Sequence, residues 1–272
     1  MQTYSRLETV SLWICTHLML LSWLFLPVQG HSAFVDPADT TLISETVTYK
    51  SGAAEIAAYL SRPKEEGKYP AVIVLHGNSG TSPYNQDVAR RLAKEGYVAI
   101  ASDLLSRAGR TEKFTDREEA QKALRQIKRE DIYQDLNSTF GYLERLHYVR
   151  GDRIGVVGFC WGGGHAFMLA TRLPKLRAAA IFYGRNPDPL DLVKNIHADL
   201  LVVHGETDVN YTRHVPELET ALKQHGKSYE LKIYPGAGHA FHNDTSERSY
   251  HPEAARAAWE RALSLFQRAL AQ

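Results

Sequence analysis

Apolar positions along this chain alternate between short runs and longer stretches of helical period. Residues 71–75, Ala-Val-Ile-Val-Leu, form a continuous apolar run of the kind that is buried on both faces of a parallel sheet. Residues 97–102, 153–157, 178–183, 200–204 and 229–234 read as further strands. Between them lie helical patterns. The first covers 84–94, with Val88 and Leu92 on one side and Gly96 just past its end. The next covers 131–148, with Ile132, Leu136, Phe140 and Leu143 at helical spacing. Others are expected at 163–172, at 213–225 and from Pro252 onward, where Trp259, Leu263, Phe266 and Leu270 form a stripe. Two early strands, 43–49 and 55–60, are joined by Ser51-Gly52 as a hairpin, and 62–69 is a charged loop. The charged stretch 107–130 predicts a surface helix. Strand–helix alternation of this kind specifies an α/β fold, one mostly parallel central sheet with helices on both faces. Ligands in such folds bind beyond the carboxyl ends of the strands.

The first thirty residues break the pattern. Arg6 precedes an apolar run over 10–26, and Pro27-Val28-Gln29-Gly30 puts Val and Gly at the −3 and −1 positions of a cleavage after Gly30. Residues 1–30 thus read as a secretory signal peptide, and 31–272 as a single domain. An uncleaved membrane anchor is the rival, since the run is nearly long enough to span. His17 and Pro27 favour cleavage. The expected location is extracytoplasmic, either periplasmic or secreted, with membrane contact only through an uncleaved leader.

Composition narrows the function. Of 272 residues, 44% are hydrophobic and 23% charged, with a formal net charge of +1. That is ordinary for a globular protein and gives no sign of a nucleic-acid partner. No glycine-rich phosphate loop, HExxH or CxxC signature occurs, so neither a metal nor a cofactor is expected. There are two cysteines, Cys15 in the leader and Cys160. The mature chain would hold Cys160 alone, with no intramolecular disulfide.

Cys160 is the residue with the most chemistry. Gly158-Phe159-Cys160-Trp161-Gly162 is a G-x-S-x-G nucleophile elbow with sulfur in place of oxygen, lying between a strand and a helix as that turn requires. This points to a thiol hydrolase on an α/β-hydrolase scaffold. A thiol nucleophile needs a base, and the base needs an orienting group. In this fold they follow in the order nucleophile, acid, histidine. Asp208, with Glu206 as the alternative, follows the strand 200–204. His239, with His242 as the alternative, follows the strand 229–234. An oxyanion needs two donors. The N–H of Trp161 is one, and the loop His76-Gly77-Asn78-Ser79-Gly80 offers the other, Asn78 N–H or Gly77 N–H. His76, Gly77, His242 and Asn243 are the expected substrate-binding positions.

These motifs resemble the dienelactone hydrolase family. Gly158-Phe159-Cys160-Trp161-Gly162-Gly163-Gly164 is similar to its elbow, and His204-Gly205-Glu206-Thr207-Asp208 to its acid loop. Gly238-His239-Ala240-Phe241 is similar to its histidine loop, and residues 97–104 to its second core strand. The resemblance covers most of 45–270. It implies a triad of Cys160, Asp208 and His239, and hydrolysis of a carboxylic ester or lactone through an acyl-thiol intermediate. The expected partner is therefore a small-molecule ester or lactone, met by a monomer or small homo-oligomer. Two positions depart from the family pattern. A glutamate that assists the thiol in many members is replaced by Gly77. An arginine that holds a substrate carboxylate is replaced by Asn243. Dienelactone itself is therefore not the expected substrate, and specificity is expected to relax toward neutral esters. Arg107, Arg185 and Arg248 are the candidate substitutes for that arginine. Residues 107–130 and 184–196 are the candidate lids. Rival readings are a thioesterase or peptidase on the same fold, or a secreted binding or sensing protein without turnover.

Overall fold

The computed structural model describes residues 34–270, so the expected leader and Cys15 lie outside the described residues. Eight strands form one sheet in the order β1-β2-β4-β3-β5-β6-β7-β8. The hairpin β1 (Leu42–Ser51) and β2 (Ala54–Pro63) is antiparallel, and β2 runs antiparallel to β4 (Val98–Ser102). From β4 onward every pairing is parallel, through β3 (Tyr69–Leu75), β5 (Val149–Phe159), β6 (Ala178–Phe182), β7 (Asp199–Gly205) and β8 (Tyr229–Tyr234). This is the α/β-hydrolase arrangement.

Strand alternation splits the core into two layers. Ala71, Ile73 and Leu75 of β3 face one apolar cluster, while Val72 and Val74 face the other. The first cluster is completed by α2 (Arg117–Gln126), α3 (Arg129–Arg145), α4 (Trp161–Arg172) and α6 (Val215–Gln224). The second is completed by α1 (Pro83–Lys94) and α7 (Pro252–Leu270). All five residues from Ala71 to Leu75 are fully buried. Each Val, Ile or Leu among them contributes roughly 1.5–3 kcal/mol through burial, so the strand that carries the loop at 76–80 is held firmly.

The expected elements all occur, several with shifted bounds. The helix expected at 131–148 runs from Arg129 to Arg145; a turn at 146–148 follows, its Tyr148 carbonyl accepting from Tyr69 N–H, and β5 begins at Val149. The helix expected at 213–225 starts at Val215, with Pro216 in its first turn, and the short α5 (Val209–Thr212) precedes it. The surface helix expected within 107–130 is α2, capped by Asp116 accepting from Glu118 N–H. Along α7, Trp259, Phe266 and Leu270 are buried and Leu263 is half-buried.

Candidate active site

Cys160 stands between β5 and α4 with φ 56° and ψ −117°. This sparsely populated backbone geometry costs of order 1–3 kcal/mol and persists only where surrounding structure enforces it. Two flanking glycines permit the turn. A Cβ on Gly158 would lie 2.2 Å from the Gly162 carbonyl oxygen, and one on Gly162 would lie 2.4 Å from the His76 carbonyl oxygen. Any larger residue at either position would push the elbow apart. Cys160 N–H bonds to the Phe182 carbonyl at 3.0 Å, which fixes the turn against β6. Trp161 opens α4, so its N–H lies among the leading helix donors that have no partner within the helix.

The acid and histidine loops are tied to each other. Thr207 N–H and hydroxyl both donate to the Ala237 carbonyl at 3.0 Å, and Glu206 accepts from Gly236 N–H at 3.0 Å. Asp208, 8% exposed, then meets His239 Nδ1 at 2.5 Å through Oδ2. Of the two acids in the loop, Asp208 touches the imidazole and Glu206 binds backbone. Tyr183 and Tyr211 both pack against His239, at centroid distances of 5.2 and 5.0 Å. Burial pulls the His239 imidazolium down. A hydrogen bond and charge from Cys160, followed by those from Asp208, outweigh burial and raise its pKa to about 9. The arrangement favours the imidazolium form of His239 beside Cys160.

Beside Cys160 opens a cavity of about 420 Å³ lined by Asn78, Trp161, His165, Met168, Tyr211 and Arg185, among others. Asn78 and Trp161 therefore lie with Cys160 around one space. Gly77 has open space where a side chain would be, with nothing within 4 Å of a Cβ.

None of the four expected substrate contacts, His76, Gly77, His242 and Asn243, is among the residues that line this cavity. His76 is buried, with both ring nitrogens bonded to backbone, Nδ1 to the Gly77 carbonyl and Nε2 to Leu104 N–H. His242 is neither at the surface nor in the cavity. It is buried against Phe159, Phe182 and Trp259, with Nδ1 bonded to the Tyr84 hydroxyl at 2.6 Å. Burial, followed by the charge of Arg91, lowers its pKa to about 3, so it is neutral. Asn243 turns its carbonyl oxygen back to Thr245 N–H and hydroxyl.

Charged side chains line the cavity, and of the three candidate substitutes for the family's arginine only Arg185 is among them. Arg185 from the 184–196 segment and Arg129 from the start of α3 both line it, with Asp188. Arg185 also hydrogen-bonds to Tyr211. Arg107 instead grips the buried Asp135, and Arg248 is exposed away from the cavity lining. Sequence reading missed Arg129, Tyr133, His165 and Tyr211 because they sit in no local motif. Tyr183 could have been found, since it follows the carboxyl end of β6, where ligand-facing residues gather.

Comparison with known proteins accords with this architecture. The model of the dienelactone hydrolase family matches residues 56–270. A Bradyrhizobium protein provisionally named a 2-oxo-3-(5-oxofuran-2-ylidene)propanoate lactonase is 36% identical over 237 residues, 83% of this chain and 94% of that one. A Saccharolobus solfataricus protein provisionally named a carboxymethylenebutenolidase is 34% identical, over 83% of this chain and 99% of its own. A crystal structure from Klebsiella pneumoniae, provisionally named a dienelactone hydrolase, superposes with a TM-score of 0.77 at 31% identity, covering 83% of this chain and 98% of that one. With its elbow, its sheet order and a match over most of its length, the chain belongs to the dienelactone hydrolase family and is a carboxylic ester hydrolase on the α/β-hydrolase fold.

Proposed function

We propose that the protein hydrolyses small carboxylic esters or lactones through Cys160, with His239 as base and acid and Asp208 as its orienting partner. The observation that carries this reading is the alignment at the elbow. Asp208 holds His239 at 2.5 Å, and His239 in turn interacts with Cys160. The Cys160 thiolate attacks the carbonyl carbon, and the C=O π electrons move to oxygen. The oxyanion is met by Trp161 N–H and Asn78 N–H. As the C–O bond breaks, the His239 imidazolium gives its proton to the leaving oxygen. An acyl-thiol remains on Cys160. Water, deprotonated by His239, attacks this thioester and releases the acid and the thiolate, restoring the ion pair.

The substrate class follows from the cavity. Its volume suits one small acyl group, and Arg129 and Arg185 give it two guanidiniums for a carboxylate or another electron-rich substituent. The 36%-identical relative bears the name of a lactone with a propanoate group, which fits such a lining. Asn243 stands at the family's arginine position, so a carboxylate in this cavity would be held by Arg129 or Arg185 instead. Arg185→Gln should raise KM for an acyl group bearing a carboxylate and leave KM for its neutral counterpart unchanged. We further propose that residues 1–30 direct export and are removed after Gly30. N-terminal sequencing of the mature protein tests that point, and an intact leader on exported protein would contradict it.

The direct test of the activity is turnover of p-nitrophenyl acetate and butyrate by the wild type beside Cys160→Ala. Loss of turnover in the variant supports the cysteine mechanism. Retained turnover rejects it. A wild type that is alkylated at Cys160 yet turns over no ester or lactone would favour a binding protein.

A further inference from the structure

The buried His76 makes no contact with the cavity, yet it touches both segments that would supply the oxyanion donors. Its Nε2 accepts from Leu104 N–H at 3.0 Å, so the proton of the neutral ring sits on Nδ1. Nδ1 then donates to the Gly77 carbonyl at 2.7 Å. Desolvation favours this neutral form and lowers the pKa of the ring, while the Gly77 bond and Asp103 oppose the shift.

The second link is the peptide plane. In a trans peptide the C=O of one residue and the N–H of the next point in opposite directions. Holding the Gly77 carbonyl toward the imidazole therefore turns Asn78 N–H away from it. Asn78 lines the cavity together with Cys160 and Trp161. Gly77 has no side chain and open space around it, so its own packing does not prevent this peptide from rotating. The third link is aromatic. The His76 ring stacks on the Trp161 indole at 5.7 Å with a 12° interplanar angle. The His76 carbonyl also abuts Gly162 of the elbow helix.

We infer that His76 is a positioning residue for the oxyanion site: its Nδ1–H tautomer, fixed by Leu104 N–H, locks the Gly77–Asn78 peptide so that Asn78 N–H faces the carbonyl attacked by Cys160. The inference rests on the proposed thiol mechanism and adds a specific device to it. The loop after β3 is held by a side chain drawn from within it and braced against the loop after β4. Hydrogen bonds to a developing oxyanion contribute only in the transition state, so the lock should affect kcat far more than KM.

The test compares two reactions of the same thiolate. Hydrolysis of p-nitrophenyl butyrate develops an oxyanion. Alkylation of Cys160 by iodoacetamide displaces iodide at a saturated carbon and develops none. His76→Phe keeps an aromatic ring beside Trp161 but removes both hydrogen bonds. It should lower kcat about 100- to 1,000-fold, the usual effect of losing one oxyanion donor, with KM and the alkylation rate close to wild type. His76→Gln, which can accept from Leu104 N–H and donate to Gly77 carbonyl, should recover part of kcat. An unchanged kcat in His76→Phe overturns the inference. So does a parallel fall in kcat and alkylation, which would mean a general loss of structure. If His76→Phe does not fold, nitrogen-15 NMR of the wild-type imidazoles decides. A His76 ring protonated at Nδ1 and bare at Nε2 at neutral pH supports the lock, and the opposite tautomer or a charged ring overturns it. Failure of the thiol mechanism is distinct, since it would show as ester turnover surviving in Cys160→Ala.

Discussion

His239 and His242 lie three residues apart on one loop and end in opposite states. His239 is one-third exposed, flanked by two tyrosines, and joined to Asp208 and Cys160, and its pKa rises to about 9. His242 is 2% exposed, packed among aromatic rings with a tyrosine hydroxyl on Nδ1, and its pKa falls to about 3. The same side chain favours the charged form in one place and is a neutral core residue in the other. Two features separate them: whether an opposite charge is in contact, and whether water can reach the ring.

The largest effect expected from breaking this contrast is on catalysis. His239→Ala should lower kcat for p-nitrophenyl butyrate by about 10³-fold or more, and should also slow iodoacetamide alkylation at neutral pH because the thiolate loses its counter-ion. Asp208→Asn should cost about 10²–10⁴-fold, measured on the same ester. A His239→Ala enzyme with wild-type kcat would place the base elsewhere.

The next effect is on stability against pH, where the two kinds of histidine act with opposite sign. His165, His204 and His242 are lowered, chiefly by burial, to about 4, 4 and 3. Below pH 6.5 the unfolded chain takes up protons that the folded chain refuses. Each of the three then removes about 1.4 kcal/mol of stability per pH unit as acid is added, until its folded pKa is reached. His239 is raised, so its contribution is fully present below pH 6.5 and is lost as pH climbs through about 9. Urea unfolding from pH 4 to 10 should show a steep acid loss and a shallower alkaline one. Asp208→Asn should flatten the alkaline limb in part, since Cys160 raises the His239 pKa more than Asp208 does, and should steepen the acid limb slightly by removing the charge that supports His204. An acid limb unchanged in His242→Phe would contradict the neutral assignment.

Removing the buried ring should come third. His242→Ala leaves a cavity among Phe159, Phe182 and Trp259 and removes one of the two hydrogen-bond partners of the Tyr84 hydroxyl, the other being Tyr183, for a loss of about 2–4 kcal/mol in urea unfolding. The folded fraction should retain its kcat, since the ring is outside the cavity. Smallest of all is Tyr84→Phe, which removes the hydrogen bonds to Nδ1 of His242 and to the Tyr183 hydroxyl and should cost about 1–2 kcal/mol.

The contrast also explains what could be read in the chain. Strand runs such as 71–75 and the Gly158-to-Gly162 elbow are local signals, because burial on both faces and a tight turn each restrict the residues allowed in a short window. Loop order then pointed to Asp208 and His239. The fates of His76 and His242 were not legible, since each is decided by partners far along the chain, Leu104 for one and Tyr84 for the other. Arg129 was missed for the same reason. It opens α3, thirty-one residues before the elbow, and reaches the cavity only through the packing of that helix against α4. Local chemistry fixes what a residue can do, and tertiary packing selects which residue does it.

The measurement that bears most directly on the central claim is intact-mass and peptide-mass analysis of Asp208→Asn quenched in acid shortly after mixing with p-nitrophenyl butyrate. Slowed deacylation should let a butyryl group accumulate, and the account places it on the peptide containing Cys160. Turnover with no acyl adduct at Cys160, or with the adduct on another residue, would contradict a thiol nucleophile at the elbow.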